Sequence, residues 1–437
     1  MKILRPLRER DFALLWGGLT VSLIGDGIYL VAVAWQVYDL SNVPSALAIV
    51  GLAWSAGMAL FLLTGGVVSD RMERRRVMIG ADLVRAGALG VLGVLAITGS
   101  LELWQLIALV VVYAAGEAFF GPALGALVPD ILSGEHLVEA NSLELTVRQI
   151  CRLMIGPAIG GILVASVGAG NAFLADAGTF LVSALMITLI RTRSIGSAGS
   201  GTSIRQEVLA GLRYVRSERF IWVTLLASSL AMLMFFGPLE VLLPYVVRNE
   251  VGGGAGGYGI VLAADGAGAV AAALVMSQRA RLPGHYLTVM FLTWAAATLP
   301  LAGYAAATAI WQLMVLSVIY GALMTIGLVI WGTLMQTRVP GAMRGRVHSV
   351  EWFTSIGLVP LSFALTGPVS SVLGVDTTLI IAGVAPAIST LLLFVVFRMR
   401  REERPLSDAG APLDAVVPVG GAGAVAELEV LPEAARR

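Results

Sequence analysis

The chain has 437 residues, of which 57% are hydrophobic and only 13% charged, with a mean hydropathy of +0.87. Soluble domains carry about 25% charged residues, so this composition excludes an ordinary water-soluble enzyme, a disordered chain and a nucleic-acid binder. The 29 Lys plus Arg nearly balance 28 Asp plus Glu, so net charge points to no partner. Cys151 is the only cysteine, which excludes an internal disulfide and a Cys-rich metal site. Lys2 is the only lysine. A P-loop and a Schiff base both need an internal lysine, so neither is available. The glycine-rich run 251–257 is therefore read as a loop and not as a phosphate cradle.

Twelve apolar stretches follow in chain order: 12–38, 44–68, 77–98, 103–127, 143–166, 170–190, 220–246, 256–278, 285–306, 309–333, 350–373 and 376–397. Each is long enough to cross a bilayer as a helix, which satisfies its own backbone hydrogen bonds in lipid. The first follows Lys2, Arg5, Arg8 and Arg10. It is nearly twice the length of a signal-peptide core and lacks a small-residue cleavage site, so a retained helix is expected.

Arginines then set the expected topology. They cluster after span 2 (Arg71, Arg74, Arg75, Arg76), span 6 (Arg191, Arg193, Arg205, Arg213, Arg216, Arg219), span 8 (Arg279, Arg281), span 10 (Arg338, Arg344, Arg346) and span 12 (Arg398, Arg400, Arg401, Arg404). The opposite side has only Arg248. Both termini and every even-to-odd loop are thus expected in the cytoplasm. The expected organisation is a six-helix bundle over 1–190, a cytoplasmic linker over 191–219, a second bundle over 220–397 and a tail over 398–437. In the linker, apolar residues at 204, 208, 212 and 215 predict an amphipathic interfacial helix. The tail beyond 405 is rich in Pro, Gly and Ala and reads as disordered.

The two halves echo each other. Val128-Pro129 and Val339-Pro340 are 211 residues apart, as are Gly156-Pro157 and Gly367-Pro368. Internal repeats of this kind mark secondary transporters, with the substrate site between the repeats near the midplane. The fold class is therefore an all-α membrane protein, with twelve transmembrane helices in two pseudo-symmetric six-helix bundles.

Polar residues inside the spans are the functional candidates, because a charge at the bilayer centre costs about 2.5–3.5 kcal/mol. Asp26 and Glu117 sit near the middles of spans 1 and 4. A carboxyl in an apolar cavity holds a proton more readily than in water, so these two are the expected proton-coupling pair, with Arg148 as counter-charge. Asp82 and Arg85, one turn apart in span 3, are expected to pair. Asp176, Glu240 and Asp265 lie in the outer halves of spans 6, 7 and 8. Glu240 and Asp265 are candidate cavity residues, together with the deep aromatics Trp54, Phe119, Phe120, Phe235, Phe236 and Trp294. His136, His285 and His348 fall at loops or helix ends and are too scattered for a metal site.

Three segments resemble a known family. Gly66-Val67-Val68-Ser69-Asp70-Arg71-Met72-Glu73-Arg74-Arg75-Arg76 is similar to motif A of the major facilitator superfamily, with Glu73 in place of its second glycine. Gly156-Pro157-Ala158-Ile159-Gly160-Gly161 is similar to the superfamily's antiporter motif C. Leu23-Ile24-Gly25-Asp26-Gly27, Val128-Pro129-Asp130 with Ala140-Asn141-Ser142-Leu143, and Val339-Pro340-Gly341-Ala342-Met343-Arg344-Gly345-Arg346-Val347 resemble the enterobactin-exporter and macrolide-efflux branch. The resemblance covers roughly residues 8–397. It implies the major facilitator fold and a monomer in the bacterial plasma membrane, surrounded by lipid. It further implies proton-driven export of lipophilic or amphipathic small molecules, such as drugs or siderophore-like metabolites, with no cofactor or metal. It also implies a motif A gate of Gly66, Asp70, Arg71, Arg74, Arg75 and Asp130 that closes the cytoplasmic side in the outward-open state. The competing expectations are a solute importer and a transport-dead receptor or scaffold; an enzyme is not expected.

Overall fold

The computed structural model describes residues 2–132, 136–191, 204–279 and 282–403. Twelve helices among them are long and apolar enough to cross a membrane. They run over Arg10–Leu40, Pro44–Leu62, Arg74–Ile97, Leu103–Ile131, Arg148–Val167, Ala169–Thr188, Arg219–Glu250, Ala255–Ser277, Tyr286–Tyr304, Ile310–Arg338, Met343–Leu373 and Val375–Val396, and are numbered spans 1 to 12. Each expected stretch falls on one of them. No strand occurs among the described residues.

Breaks between spans come from residues that cannot continue a helix. The turn from span 5 to span 6 passes through Gly168 (φ 86°, ψ 162°), and the turn from span 11 to span 12 through Gly374 (φ 83°, ψ 162°). Only glycine adopts this backbone region without strain. Spans 4 and 10 also begin alike. Leu103-Trp104-Gln105-Leu106 and Ile310-Trp311-Gln312-Leu313 lie 207 residues apart. In each, the glutamine Oε1 accepts the backbone N–H three residues earlier, from Glu102 (2.8 Å) and Ala309 (3.2 Å). Both tryptophans are 64% exposed, as expected of side chains anchored at a membrane surface. These matched features extend the sequence repeat into structure.

In the first half, span 6 packs on spans 1 and 3, and span 4 on spans 2 and 3; in the second, span 10 packs on spans 8 and 9, and span 12 on spans 7 and 9. The halves meet along two seams, span 5 against span 8 and span 2 against span 11. If span 2 corresponds to span 8, and span 5 to span 11, the two seams are copies of one another.

Small residues make both seams close. In span 5, Gly161 abuts Gly256 and Gly259 of span 8: a Cβ on Gly161 would lie 3.1 Å from both of their Cα atoms. In span 11, a Cβ on Gly367 would lie 3.0 Å from the Ser45 Cα of span 2. Proline assists at the first seam. Pro157 has no N–H to donate to Leu153 O, and Gly266 of span 8 packs against that carbonyl.

Several bonds join the halves at the end opposite the arginine-rich connections. The Tyr38 hydroxyl donates to Val241 O (2.6 Å), the Asn42 and Asn249 side chains exchange bonds of 2.8 and 3.2 Å, and Arg248 pairs with Asp39 at 2.6 Å. The Arg248 guanidinium also lies 5.2 Å from the centre of the Trp35 ring. The Asp39–Arg248 pair is partly exposed, so it contributes no more than about 1 kcal/mol. Such a latch biases the closed end without locking it.

At the arginine-rich end, the linker contains the expected helix, Ile204–Ser217. It packs on the segment that opens span 11: Gly211 lies against Arg346, and Val215 joins the core of the second half. Leu209 and Leu212 remain exposed beside Arg213 and Arg216. After span 12, Glu403 accepts bonds from the Thr288 backbone N–H and hydroxyl and contacts His285, while Glu402 pairs with Arg219. Burial raises the Glu403 pKa, but the bonds from Thr288 and His285 outweigh it and the net shift is downward. The tail beyond 403, expected to be disordered, lies outside the described residues.

The glycine seam can be probed with one substitution. Gly259→Leu should force spans 5 and 8 apart at a cost of about 1–3 kcal/mol, the usual penalty for overpacking. In detergent, with Cys151→Ser as background, a cysteine at Val241, buried beside the Tyr38 bond between the halves, should then react at least about tenfold faster with a maleimide. Unchanged labelling would show that the seam is not what holds this end shut.

Candidate functional site

The mid-membrane charges converge where the seams meet. On span 4, Glu117 Oε2 accepts a 3.0 Å bond from Trp54 Nε1 of span 2, while its Oε1 lies 3.7 Å from Arg152 Nη2 of span 5. On span 1, Asp26 is 7% exposed and accepts a 2.7 Å bond from the Tyr113 hydroxyl. Tyr113 lies one turn before Glu117 on span 4, and its ring stacks on Tyr29 at 4.5 Å. From the second half, Glu240 of span 7 and Asp265 of span 8 are half-buried. Arg152 lies within electrostatic reach of Glu117, Asp26 and Glu240, and Glu240 within reach of Asp265. One guanidinium thus lies within reach of three carboxyls drawn from both halves, and Asp265 adjoins the third, Glu240.

The expected counter-charge is corrected. Arg148 pairs with Glu144 at 3.1 Å, and it is Arg152 that faces Glu117. The reason is local. Residues Arg148–Ile155 form a π-helix ahead of the Gly156–Val167 helix. The wider π turn breaks the 3.6-residue periodicity that places residues 148 and 152 on one face.

Motif C lies directly beside this site. Gly156 and Gly160 pack on span 1, and Gly161 on span 8: a Cβ on Gly27 would lie 2.7 Å from both the Gly156 Cα and the Pro157 Cδ, and one on Gly160 2.8 Å from the Ile28 Cα. The turn that carries Asp26 is thus keyed to the helix that carries Arg152.

The candidate aromatics divide. Trp54 binds Glu117, and Phe119 is half-buried beside it in sequence. Phe236 meets Phe363 edge-on at 5.8 Å, and Phe363 lies against Gly51 of span 2, so this pair stands at the seam. Phe120, Phe235 and Trp294 are not cavity residues. Phe120 lies beneath the Arg85 guanidinium, 4.5 Å from ring centre to Cζ, inside the first bundle. Phe235 is fully buried against Tyr320. Trp294 packs against Gly327 of span 10, and its Nε1 has no acceptor among the described residues. Arg85 and Asp82 form the expected pair within span 3.

At the motif A loop, Arg74 binds Asp130 and also donates to Ala126 O at 2.9 Å. Glu73, which replaces the motif's second glycine, binds Arg76 (2.8 Å) and Arg75 (3.5 Å), and Arg75 donates to Ile190 O. The Arg71 side chain is exposed, and that of Asp70 lies outside the described residues. Gly66, expected to admit a neighbouring helix, meets nothing among the described residues within 4 Å of where its Cβ would stand. Its neighbour Gly65 does so instead, with a Cβ position 2.6 Å from Ala118 O of span 4.

Twelve spans in two repeated halves, with charges gathered between them, define a secondary transporter of the major facilitator type. Residues 2–416 match the family model described as transmembrane secretion effector, and the chain belongs to that family. It is 30% identical over 420 residues to the multidrug efflux pump Tap of Mycolicibacterium fortuitum, covering 91% of this chain and 97% of that one. It is 28% identical over 405 residues to the enterobactin exporter EntS of Salmonella choleraesuis, covering 89% and 94%. Among solved structures it is similar to an inward-facing, unoccupied bacterial homologue of the human lysosomal transporter Spinster, with a TM-score of 0.66 at 14% identity over 92% of this chain and 99% of that one. Family and fold are those of multi-pass membrane transporters, not of enzymes.

The two arginines of span 5 separate experimentally. Arg148→Gln should cost under about 1 kcal/mol, as expected of an exposed pair. Arg152→Gln should lower stability and transport clearly more, because it strips the counter-charge from Glu117. Thermal unfolding in detergent and dye efflux measure both; equal effects would reject the assignment.

Proposed function

We propose that the chain is a proton-coupled exporter of amphipathic small molecules, working by alternating access in a bacterial plasma membrane with both termini cytoplasmic. Export is supported by the relatives, whose names describe multidrug efflux and enterobactin export. One observation carries the coupling: three carboxyls from both halves, Glu117, Asp26 and Glu240, lie within reach of Arg152, while the other nearby guanidinium, Arg85, is already paired with Asp82. Full ionisation of the three would leave two negative charges in excess, and each uncompensated buried charge costs several kcal/mol. Cations must therefore enter with the carboxyls, and protons are the cations that need no coordination shell. Asp26 and Glu117 are the proton-carrying pair, with Arg152 as the shared counter-charge.

The cycle follows from the seams. Bonds between the halves gather at the end opposite the arginine-rich connections, and no described residue lies within 4 Å of a Cβ on Gly66 of motif A. We read this as the state open to the cytoplasm. Rocking the halves about the glycine contacts of spans 5 and 8 opens the far end. The face of Gly66 is then where the second half closes, next to the Arg74–Asp130 pair. The half-buried Trp54, Phe119 and Phe236 supply apolar surface for a lipophilic substrate.

The test uses inside-out vesicles with an imposed pH gradient. The parent should accumulate substrate, while Asp26→Asn and Glu117→Gln should each lose concentrative transport by about tenfold or more, the value of one uncompensated buried charge. Full pH-dependent transport in both variants would defeat the proposal. Flux in the opposite direction would identify an importer. Loss of function on deleting 405–437, with Asp26→Asn still active, would identify a scaffold.

A further inference from the structure

One buried acid stands outside the mechanism above. Asp176 of span 6 is 0% exposed. Its Oδ1 accepts a 3.0 Å bond from the Thr179 hydroxyl, and its Oδ2 has no hydrogen-bond partner among the described residues. The carboxyl is fitted against Gly25 of span 1, where a Cβ would overlap both Asp176 Oδ1 and Thr179 Oγ1. Charged and titratable groups reach it from each neighbouring span: Asp26 and Tyr29 from span 1, Arg85 with its partner Asp82 from span 3, and Tyr113 from span 4. The one cation among them, Arg85, is already bound to Asp82. A carboxylate with an unpartnered oxygen and no cation of its own is among the costliest groups to bury.

The location links this acid to the transport seam. Three consecutive residues of span 1 make three different contacts. Gly25 meets Asp176, Asp26 meets Tyr113, and Gly27 meets the Gly156-Pro157 step of span 5. Span 5 in turn rests on span 8 of the other half. Movement at the seam is thus passed through span 1 to the packing around Asp176. We infer that Asp176 is a second proton-carrying group of the transport cycle, holding its proton on Oδ2 in this state and exchanging it when span 1 shifts. This rests on the proton-coupled reading above.

Two measurements test it. In the purified protein at neutral pH, infrared difference spectra should contain the C=O stretch of an un-ionised carboxyl that is lost in Asp176→Asn and displaced in Thr179→Val. In vesicles, Asp176→Asn should retain downhill substrate exchange but sustain a smaller gradient, roughly tenfold smaller for a pH step of about one unit if one proton per cycle is lost. A structural role alone would not uncouple exchange from accumulation. A carboxyl band unchanged in both variants overturns the inference, and so does a variant that concentrates substrate as steeply as the parent. If the parent itself ignores the pH gradient, the proton-coupled reading fails, and with it the part assigned to Asp176 in the cycle; the infrared band still reports separately whether Asp176 holds a proton.

Discussion

Arg152 is the charge on which the centre of the molecule turns. It stands on the helix that forms one seam, faces a carboxyl held by span 4, and reaches acids on spans 1 and 7. The guanidinium keeps its charge at any physiological pH, so it cannot vary through a cycle. The carboxyls around it can. A fixed cation among titratable anions, divided between two bodies, makes the preferred packing of those bodies depend on how many anions are ionised.

The seams explain how such a dependence can move a protein without breaking it. Glycine against glycine in spans 5 and 8, and Gly367 against Ser45 in spans 11 and 2, bring backbones close with few side chains to interlock. Helices in lipid gain little from the hydrophobic effect and associate through this kind of close packing. The polar bonds at the closed end are few and partly exposed. Both features favour a small gap between alternative packings of the halves.

Much of the architecture was legible in the residues, and the reasons are physical. Span number follows from apolar length, because lipid leaves the backbone no alternative to helix. The repeat was visible at Gly-Pro and Val-Pro, and a stronger copy, the Trp-Gln-Leu opening of spans 4 and 10, was there to be found. The site was less legible. A π turn has no composition signature, so the exchange of Arg148 for Arg152 could not be read from spacing. Phe120, Phe235 and Trp294 were assigned by depth, but depth does not tell the interior of a bundle from the space between bundles. Tyr113 was within reach of inference, since it precedes Glu117 by one turn on the same face. Gly65 and Gly66 differ by 100° around one helix, and only the packing of span 4 decides which is needed.

Asp26 shows why the candidate site and the bundle core cannot be treated as separate structures. Its neighbours Gly25 and Gly27 are both glycine for the same reason, close approach, but to different partners on opposite sides of span 1. A side chain at either position would push the helix away from one partner and toward the other. The position of Asp26 relative to Tyr113 is therefore set jointly by an acid buried inside the first bundle and by the Gly-Pro step at the seam. A helix held between two such contacts has little room to rotate, and the turn that carries Asp26 stays keyed to the helix that carries Arg152.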